Sequence, residues 1–141
     1  MLTHDLASLV QRDADVFLPL SKAYAMPRAT EQEREVRGEV MEEALWAASL
    51  VPLDIMKTAY QGLLIHEELA EKGSRLAISD VGVGVQLLKA AILGASMNIF
   101  INTKSMVDRV RAAEIEEDAR RLIADGTRLA DQVYHKVEEA L

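Results

Sequence analysis

The 141-residue sequence contains no cysteine, and aromatic residues make up only 4% of it. A chain without thiols has neither a disulfide framework nor a thiolate nucleophile, and it fits a reducing cytoplasm. Proline is also scarce, at three residues, whereas 50% of the chain is hydrophobic and rich in Ala, Leu and Val. This composition is typical of an all-helical protein, and the length predicts a single domain over residues 1–141.

The sequence also has fewer basic than acidic residues. The 16 Lys and Arg residues are outnumbered by 23 Asp and Glu residues, so the net charge is -7 and the pI is near 5.0. The absence of a basic block argues against a nucleic-acid partner. The N-terminus has no basic-then-apolar signal segment, and Lys89 interrupts the only apolar run that approaches membrane-spanning length. We therefore expect a soluble, cytoplasmic protein with no membrane partner.

The longest apolar stretch runs from Ser79 to Asp108. Between Val81 and Ile101 its only charged residue is Lys89, and on a helix its apolar residues point in every direction. This pattern predicts a central helix that is buried all round. Ser79 and Asp80 can both cap free backbone N–H groups, and the charge of Asp80 complements the helix dipole, so we expect the helix to begin there.

One face of this predicted helix is small in the middle and polar at both ends. Gly82 and Gly84 weaken its first turns, which indicates that another backbone or a ligand comes close there. Asn98 and Asn102 need hydrogen-bond partners if they are buried. They either bond to neighbouring backbone or across a helix interface, or they line a polar pocket. The residues of this face are Asp80, Gly84, Leu87, Ala91, Ala95, Asn98 and Asn102.

A first helix is expected from Thr3 to the residues before Pro27. Asp13 falls inside its apolar stripe, so the pattern directs a carboxylate at the core. An ionised carboxylate there must be paired, hydrogen-bonded or open to a water-filled site. Asp13 is therefore either part of a buried salt bridge or cap, or a functional group. The stripe consists of Leu6, Leu9, Val10, Phe17, Leu20 and Tyr24.

The remaining helices are indicated by their ends. Thr30 and Glu33 form a capping box that begins a second helix. Pro52 is expected to start a third helix or to bend the chain sharply, because proline has no N–H for an interior helical bond. Gly73 should end that helix, and a last helix should run from about Ala112 to the C-terminus. These elements predict one antiparallel bundle of about five helices around the buried central helix.

Spacing excludes several catalytic motifs. Gly82 and Gly84 lack the third glycine and the preceding strand of a dinucleotide fingerprint. His66 has no second histidine four residues later, as a zinc-binding helix requires, and neither His66 nor His135 follows a glutamate at the spacing of di-iron bundles. We expect His66 to be a satisfied or exposed side chain rather than a ligand.

Short motifs follow one another in a fixed order between residues 13 and 108. They are Asp13-Ala14-x-x-Phe17, Ala23-Tyr24-x-x-Pro27, Val51-Pro52, Ser79-Asp80, and Gly94-Ala95 leading into Asn98-Ile99-x-Ile101-Asn102. Their order and spacing resemble the cyclodeaminase/cyclohydrolase family, which comprises the C-terminal domain of formiminotransferase-cyclodeaminase and the stand-alone methenyltetrahydrofolate cyclohydrolases. The resemblance implies an all-helical, dimeric, metal-free enzyme that acts on one-carbon units carried by tetrahydrofolate.

The sequence departs from the family at its start. Family members usually begin with a helix introduced by a Pro-Gly-Gly-Gly-Ser segment, and no such segment precedes Thr3. A Gly-rich segment is a natural lining for an anionic ligand. We therefore expect this departure to affect activity more than fold.

The implied substrates suggest roles for the polar residues. In 5,10-methenyltetrahydrofolate an electrophilic carbon bridges two nitrogens, so hydrolysis needs a base and a proton donor; in 5-formiminotetrahydrofolate a folate nitrogen attacks and ammonia leaves. Either reaction calls for a carboxylate, for which Asp80 is the first candidate and Asp13 the second. Asn98, Asn102 and Gly84 are the candidate substrate contacts. The sequence leaves both reactions open, and the alternative function is a non-catalytic helical dimer that binds folate or acts as an interaction module.

The candidate residues also suggest a shared site. Asp80 and Asn98 lie on one face of the predicted helix, yet they are 18 positions apart, which is roughly 27 Å along the axis and too far for one small reacting centre. Antiparallel pairing of two such helices brings Asp80 of one chain beside Asn98 and Asn102 of the other. The small residues Gly84, Ala91 and Ala95 would allow that close approach. The alternative is that they admit another helix of the same chain and that Asp80 is a cap. We predict a homodimer with a two-fold axis.

Overall fold

Residues 2–141 are folded into four α-helices and one turn of 3₁₀ helix. The computed structural model describes residues 2–141, apart from the side chains of Leu2 and Leu76, and this part of the chain contains no strand. The all-helical prediction is confirmed. The elements are α1 (Leu2–Tyr24), α2 (Glu31–Lys72), the 3₁₀ turn (Arg75–Ala77), α3 (Ile78–Thr103) and α4 (Arg109–Ala140).

The predicted ends of α2 are both present. The Glu33 backbone N–H donates to the Thr30 hydroxyl oxygen over 3.1 Å, and the Glu33 carboxylate accepts from the N–H groups of Thr30 (2.9 Å) and Ala29 (2.8 Å). The bonds from the backbone of Thr30 and Ala29 lower the pKa of Glu33 below its usual 4.5. At the other end Gly73 is the C-cap, and its N–H donates to the Leu69 carbonyl over 2.8 Å.

Pro52 does not start a new helix, contrary to the prediction. Helix α2 continues through it as a single element of 42 residues. The expected second and third helices are therefore one, which reduces the number from about five to four. An interior proline costs about 3 kcal/mol in an isolated helix, but Pro52 is fully buried, so its contacts with the rest of the fold offset that loss.

Helix α3 begins differently from the prediction. Its N-cap is Ala77, whose side chain makes no capping hydrogen bond, and Ser79 and Asp80 lie inside the first turn. The two polar residues are therefore not caps. The preceding 3₁₀ turn leads the chain directly into the helix, and Asp80 still places a negative charge at the positive end of the helix dipole.

Helix α3 is also not buried all round. Four of its large apolar side chains are mostly exposed: Val83 (61%), Leu87 (67%), Met97 (60%) and Ile101 (68%). In the described part of the chain only α2 packs against all three other helices, whereas α3 packs against α2 and α4. The prediction of complete burial is wrong for the single chain, because an apolar sequence indicates a covered surface without identifying what covers it.

The main core lies where α2, α3 and α4 meet. Its largest buried members are Leu53, Met56, Leu63, Val81, Val85, Ile92, Ile99, Ile115, Leu129, Val133 and Val137. A smaller cluster joins α1 to this assembly through Leu20, Ala23, Ala44, Leu45, Ala48, Met106 and Ala112. Helix α1 therefore lies at the edge of the bundle, packed against α2.

Helix α4 begins at Arg109, three residues before the predicted start. Asp108 is its N-cap, and the Asp108 carboxylate accepts from the N–H groups of Val110 and Arg111, both over 3.1 Å. The Glu42 carboxylate of α2 accepts from the N–H groups of Val107 (2.7 Å) and Asp108. This polar connection fixes the α3–α4 loop against α2.

One described helix, α3, is long and apolar enough to cross a membrane by length and composition. The core helices of soluble proteins often have the same properties. Its one basic residue, Lys89, forms an ion pair within the bundle, because the ammonium group donates to the Asp131 carboxylate of α4 over 2.6 Å.

Candidate active site

Three of the predicted site residues line one cavity between α1, α2 and α3. Asp13 comes from α1, and Asn98 and Asn102, which are one turn apart, come from α3. The cavity has a volume of about 190 Å³, and its remaining walls are Val16, Phe17, Leu20, Ala48, Pro52 and Ile101. A carboxylate and two amides therefore border a small, otherwise mostly apolar space, an arrangement that can hold a polar cation.

Asn102 has a backbone partner. Its Nδ2 donates to the Ala48 carbonyl oxygen of α2 over 3.2 Å. Ala48 lies four residues before Pro52, which has no N–H to donate to that oxygen. Both alternatives that the sequence left open therefore apply to Asn102, which bonds to neighbouring backbone and also lines the pocket.

Asn98 lies at the open side of the same cavity. Its side chain is exposed, and no hydrogen bond is formed between it and any other group among residues 2–141. Because water can reach the amide, this carries no burial penalty. The Asn98 side chain can therefore hydrogen-bond a ligand without breaking a bond within the fold.

Asp13 is exposed rather than directed at the core, which corrects the prediction. Helix α1 packs on α2 through Leu9, Leu20 and Ala23, whereas three other members of the predicted stripe, Val10, Phe17 and Tyr24, are mostly exposed. The carboxylate is therefore not part of a buried salt bridge. The ion pair between α1 and α2 is made instead by Arg12, whose guanidinium donates to the Asp54 carboxylate over 2.9 Å.

Asp80 lines a different cavity, at the opposite end of α3. This second cavity also has a volume of about 190 Å³, and His66 of α2 is part of its wall. Its other lining residues are Leu69, Gly73, Ser74, Ala77 and Val81. Within the described residues no group of three or more His, Asp or Glu side chains could hold a metal ion.

Gly84 makes room for His66 rather than for a ligand. A Cβ atom built on Gly84 lies only 2.3 Å from Nε2 of His66, so the imidazole occupies the space of a side chain. The sequence predicted that another backbone or a ligand comes close at this glycine; the close group is instead the side chain of His66 in α2. His66 is a satisfied side chain, as the sequence predicted, because its Nδ1 lies 2.8 Å from the Gly62 carbonyl oxygen.

The single chain thus separates the candidate residues into two groups. Asp13, Asn98 and Asn102 border one cavity, and Asp80 and His66 border the other. Between them along α3 lies what we call the α3 apolar face, formed by Val83, Leu87, Met97 and Ile101.

A family model described as formiminotransferase-cyclodeaminase matches residues 1–121. The chain belongs to this family. It is 31% identical over 137 residues to the methenyltetrahydrofolate cyclohydrolase of Methylorubrum extorquens, an alignment that covers 97% of this chain and 66% of that protein. It is 36% identical over 105 residues to the formimidoyltransferase-cyclodeaminase of Mus musculus, which covers 74% of this chain and 19% of the mouse protein.

A solved structure of the formiminotransferase-cyclodeaminase fold is similar to this one. The formiminotetrahydrofolate cyclodeaminase of Thermotoga maritima superimposes with a TM-score of 0.72 at 24% identity, over 95% of this chain and 61% of that chain. The family resemblance drawn from the short motifs is confirmed. The chain spans slightly less than two thirds of the Methylorubrum and Thermotoga proteins and about a fifth of the mouse protein.

Proposed function

We propose that the chain acts on one-carbon units carried by tetrahydrofolate, as a hydrolase of 5,10-methenyltetrahydrofolate. The observation that carries the proposal is the alignment with the Methylorubrum protein named as a methenyltetrahydrofolate cyclohydrolase, which extends over 97% of this chain. The second candidate reaction is the cyclisation and deamination of 5-formiminotetrahydrofolate. It is supported by the 36% identity to the mouse protein, an alignment that covers only 19% of that protein.

The polar groups of the first cavity suit the charge of a methenyl folate. Its reactive carbon bridges two nitrogens and shares their positive charge, so a nearby carboxylate stabilises the bound cation and amides can orient it. Asp13 supplies an unpaired carboxylate, and Asn98 supplies a free amide. The bond from Asn102 to Ala48 holds the second amide in one orientation, which leaves its carbonyl oxygen as the group that can accept from a ligand.

The size of this cavity indicates that it is only part of a binding site. Its volume of about 190 Å³ is below the roughly 300–1,000 Å³ that is usual for pockets enclosing a small ligand. A folate combines a pterin, an aromatic ring and at least one glutamate, so most of the molecule must lie outside this space. Additional walls must come from elsewhere.

We propose that a second copy of the chain supplies those walls. The α3 apolar face is a row of exposed side chains on one helix, of the kind that a homodimer interface covers. In an antiparallel pairing that places Val83 opposite the partner copy's Met97, the helices cross at Ala90. This arrangement brings the Asp80 end of one α3 beside the Asn98 end of the other, so that each site receives both carboxylates.

The proposed function is tested with the purified protein and both substrates. Loss of the methenyl absorbance is followed after the uncatalysed hydrolysis has been subtracted, and ammonia release is followed with 5-formiminotetrahydrofolate. We expect faster hydrolysis of the methenyl compound. Turnover of the formimino compound alone assigns the second reaction, and binding of folate without turnover of either compound supports the non-catalytic dimer and overturns the proposal.

A further inference from the structure

The side-chain amide of Asn102 is anchored at one end and open at the other. Its anchored atom lies 3.2 Å from the Ala48 carbonyl oxygen, and because that oxygen can only accept, the atom must be Nδ2. The other end, Oδ1, forms no hydrogen bond within residues 2–141. Among these residues the buried side-chain atoms without a partner are Nε of Arg37 and Oγ1 of Thr127. Oδ1 of the half-buried Asn102 is not one of them, so solvent and a ligand can reach it.

The anchor exists because of Pro52. In a regular helix the Ala48 oxygen accepts from the backbone N–H of residue 52, but proline has no N–H. Pro52 is fully buried, and it lines the same cavity as Ala48 and Asn102. The proline thus leaves free the oxygen that the Asn102 amide binds, and in this way it determines which end of the amide is presented to a ligand.

We infer that Asn102 is a specificity-determining residue whose Oδ1 accepts a hydrogen bond from an N–H group of the pterin ring, and that Pro52 is the positioning residue for this acceptor. The inference rests on the proposed function and deepens it. The pterin ring of a reduced folate carries several N–H donors and one carbonyl oxygen. An acceptor that is held in place binds a donor at little entropic cost. It disfavours a ring turned so that the pterin carbonyl faces Oδ1, because two acceptors would then meet.

The two residues should affect substrate binding more than chemistry. Asn102→Ala should raise KM for 5,10-methenyltetrahydrofolate by about 3- to 10-fold, the net effect of one hydrogen bond between uncharged groups. Its kcat should change little, because a bond to the pterin ring is the same in the bound substrate and in the transition state. Pro52→Ala keeps the amide but lets it turn, so its KM should rise by less.

Pro19→Ala is the matched control for the proline. Pro19 is also inside a helix, α1, but it is exposed. The carbonyl oxygen four residues before it belongs to Asp15, and in the described part of the chain no side chain donates to that oxygen. Pro19→Ala should therefore leave KM unchanged. A rise in KM equal to that of Pro52→Ala would overturn the positioning role of Pro52.

The double variant Pro52→Ala/Asn102→Ala separates binding from stability. In this protein the Ala48 oxygen again has a backbone donor, so loss of the amide should cost little stability. KM should nevertheless be as high as in Asn102→Ala, because the acceptor for the pterin is still missing. A KM that returns to the wild-type value together with stability would show that Asn102 acts only through the fold, and would overturn the inference.

NMR tests the anchor and the contact without turnover. In the wild-type protein one Nδ2 proton of Asn102 should exchange with solvent more slowly than those of the exposed Asn98, and Pro52→Ala should remove this protection. Saturation with 5-formyltetrahydrofolate, a stable reduced folate, should shift the Asn102 amide signal. Equal exchange at Asn98 and Asn102 overturns the anchor, and an Asn102 signal that the bound folate does not move overturns the contact.

These measurements distinguish the inference from the proposed function. If the wild-type protein hydrolyses the methenyl compound and Asn102→Ala keeps its KM, the inference is overturned and the proposed function stands. If the protein catalyses neither reaction but binds 5-formyltetrahydrofolate at Asn102, the proposed function is overturned and the contact stands. A protein that neither turns over nor binds a folate overturns both.

Discussion

The side-chain amide of Asn102 in α3 donates a hydrogen bond to the backbone carbonyl oxygen of Ala48 in α2, over 3.2 Å. In a regular helix that oxygen accepts from the N–H four residues later, but here that residue is Pro52. The bond therefore satisfies a carbonyl that the α2 backbone cannot satisfy by itself. It also fixes one amide at the wall of the candidate site.

This relationship predicts a non-additive pair of substitutions. Asn102→Ala should lower the free energy of unfolding by about 1–3 kcal/mol, because the Ala48 carbonyl loses its donor. In a Pro52→Ala background residue 52 regains an N–H, and the same substitution should cost clearly less. Urea denaturation of the four proteins of this double-mutant cycle measures the difference. An equal loss in both backgrounds would contradict the proposed role of the bond.

Asp13→Asn should separate stability from activity. The carboxylate is exposed and makes no bond that holds the fold together, so the free energy of unfolding should change by no more than about 0.5 kcal/mol. Loss of the charge beside the cationic substrate should lower kcat/KM by about 10²-fold. Asp15→Asn, on another face of α1, is the control and should retain activity. If Asp13→Asn unfolds the protein or has full activity, the functional assignment of Asp13 is wrong.

The α3 apolar face should control oligomeric state. Met97→Glu places a charge in the proposed interface, so we expect a dimer for the wild-type protein and a monomer for this variant in sedimentation-velocity experiments. Val110→Glu is the control, because Val110 is equally apolar and 71% exposed but lies at the start of α4. A wild-type monomer, or a Met97→Glu dimer of unchanged affinity, speaks against the interface.

Subunit mixing tests whether the site is shared. Asp80→Asn and Asn98→Ala should each be inactive alone, because each removes one group from both sites of the dimer. A mixed dimer contains one site with both defects and one with neither, so it should recover up to half of the wild-type activity. Mass spectrometry confirms that mixed dimers have formed. Mixed dimers without activity would show that Asp80 and Asn98 do not act in one site.

The capping box of α2 should make the stability of the folded protein depend on pH. Hydrogen bonds from the N–H groups of Thr30 and Ala29 lower the pKa of Glu33 below 4.5, so the folded state favours the carboxylate. This stabilisation is fully present above the unfolded-state pKa, near 4.5, and is lost as the pH falls through the lower pKa of the folded state. Glu33→Gln should therefore be less stable than wild type at pH 6, and the gap should close below pH 4.5. The thermal unfolding midpoints of wild type and Glu33→Gln, measured as the pH is lowered from 6, test this prediction. A difference between the two midpoints that does not vary with pH would contradict it.

Local sequence was sufficient for the features that depend on neighbours in the chain. The helical class, the Thr30–Glu33 cap and the stop at Gly73 are as predicted. In each case the hydrogen-bonding groups lie within four residues of one another, so spacing alone specifies the geometry. The family could also be predicted, because the order of short motifs is a property of the sequence.

Only the tertiary structure decided the features that depend on distant residues. Pro52 stays inside a helix because the fold buries it and α3 supplies a donor to Ala48. The His66 ring packs against α3 because Gly84, 18 positions away, leaves space for it. A sequence determines which groups are polar, apolar or small, but burial, hydrogen-bond partners and the alignment of side chains arise when separate helices pack together. Asp13 and the α3 apolar face follow the same rule, since their exposure depends on which surfaces the other helices leave uncovered.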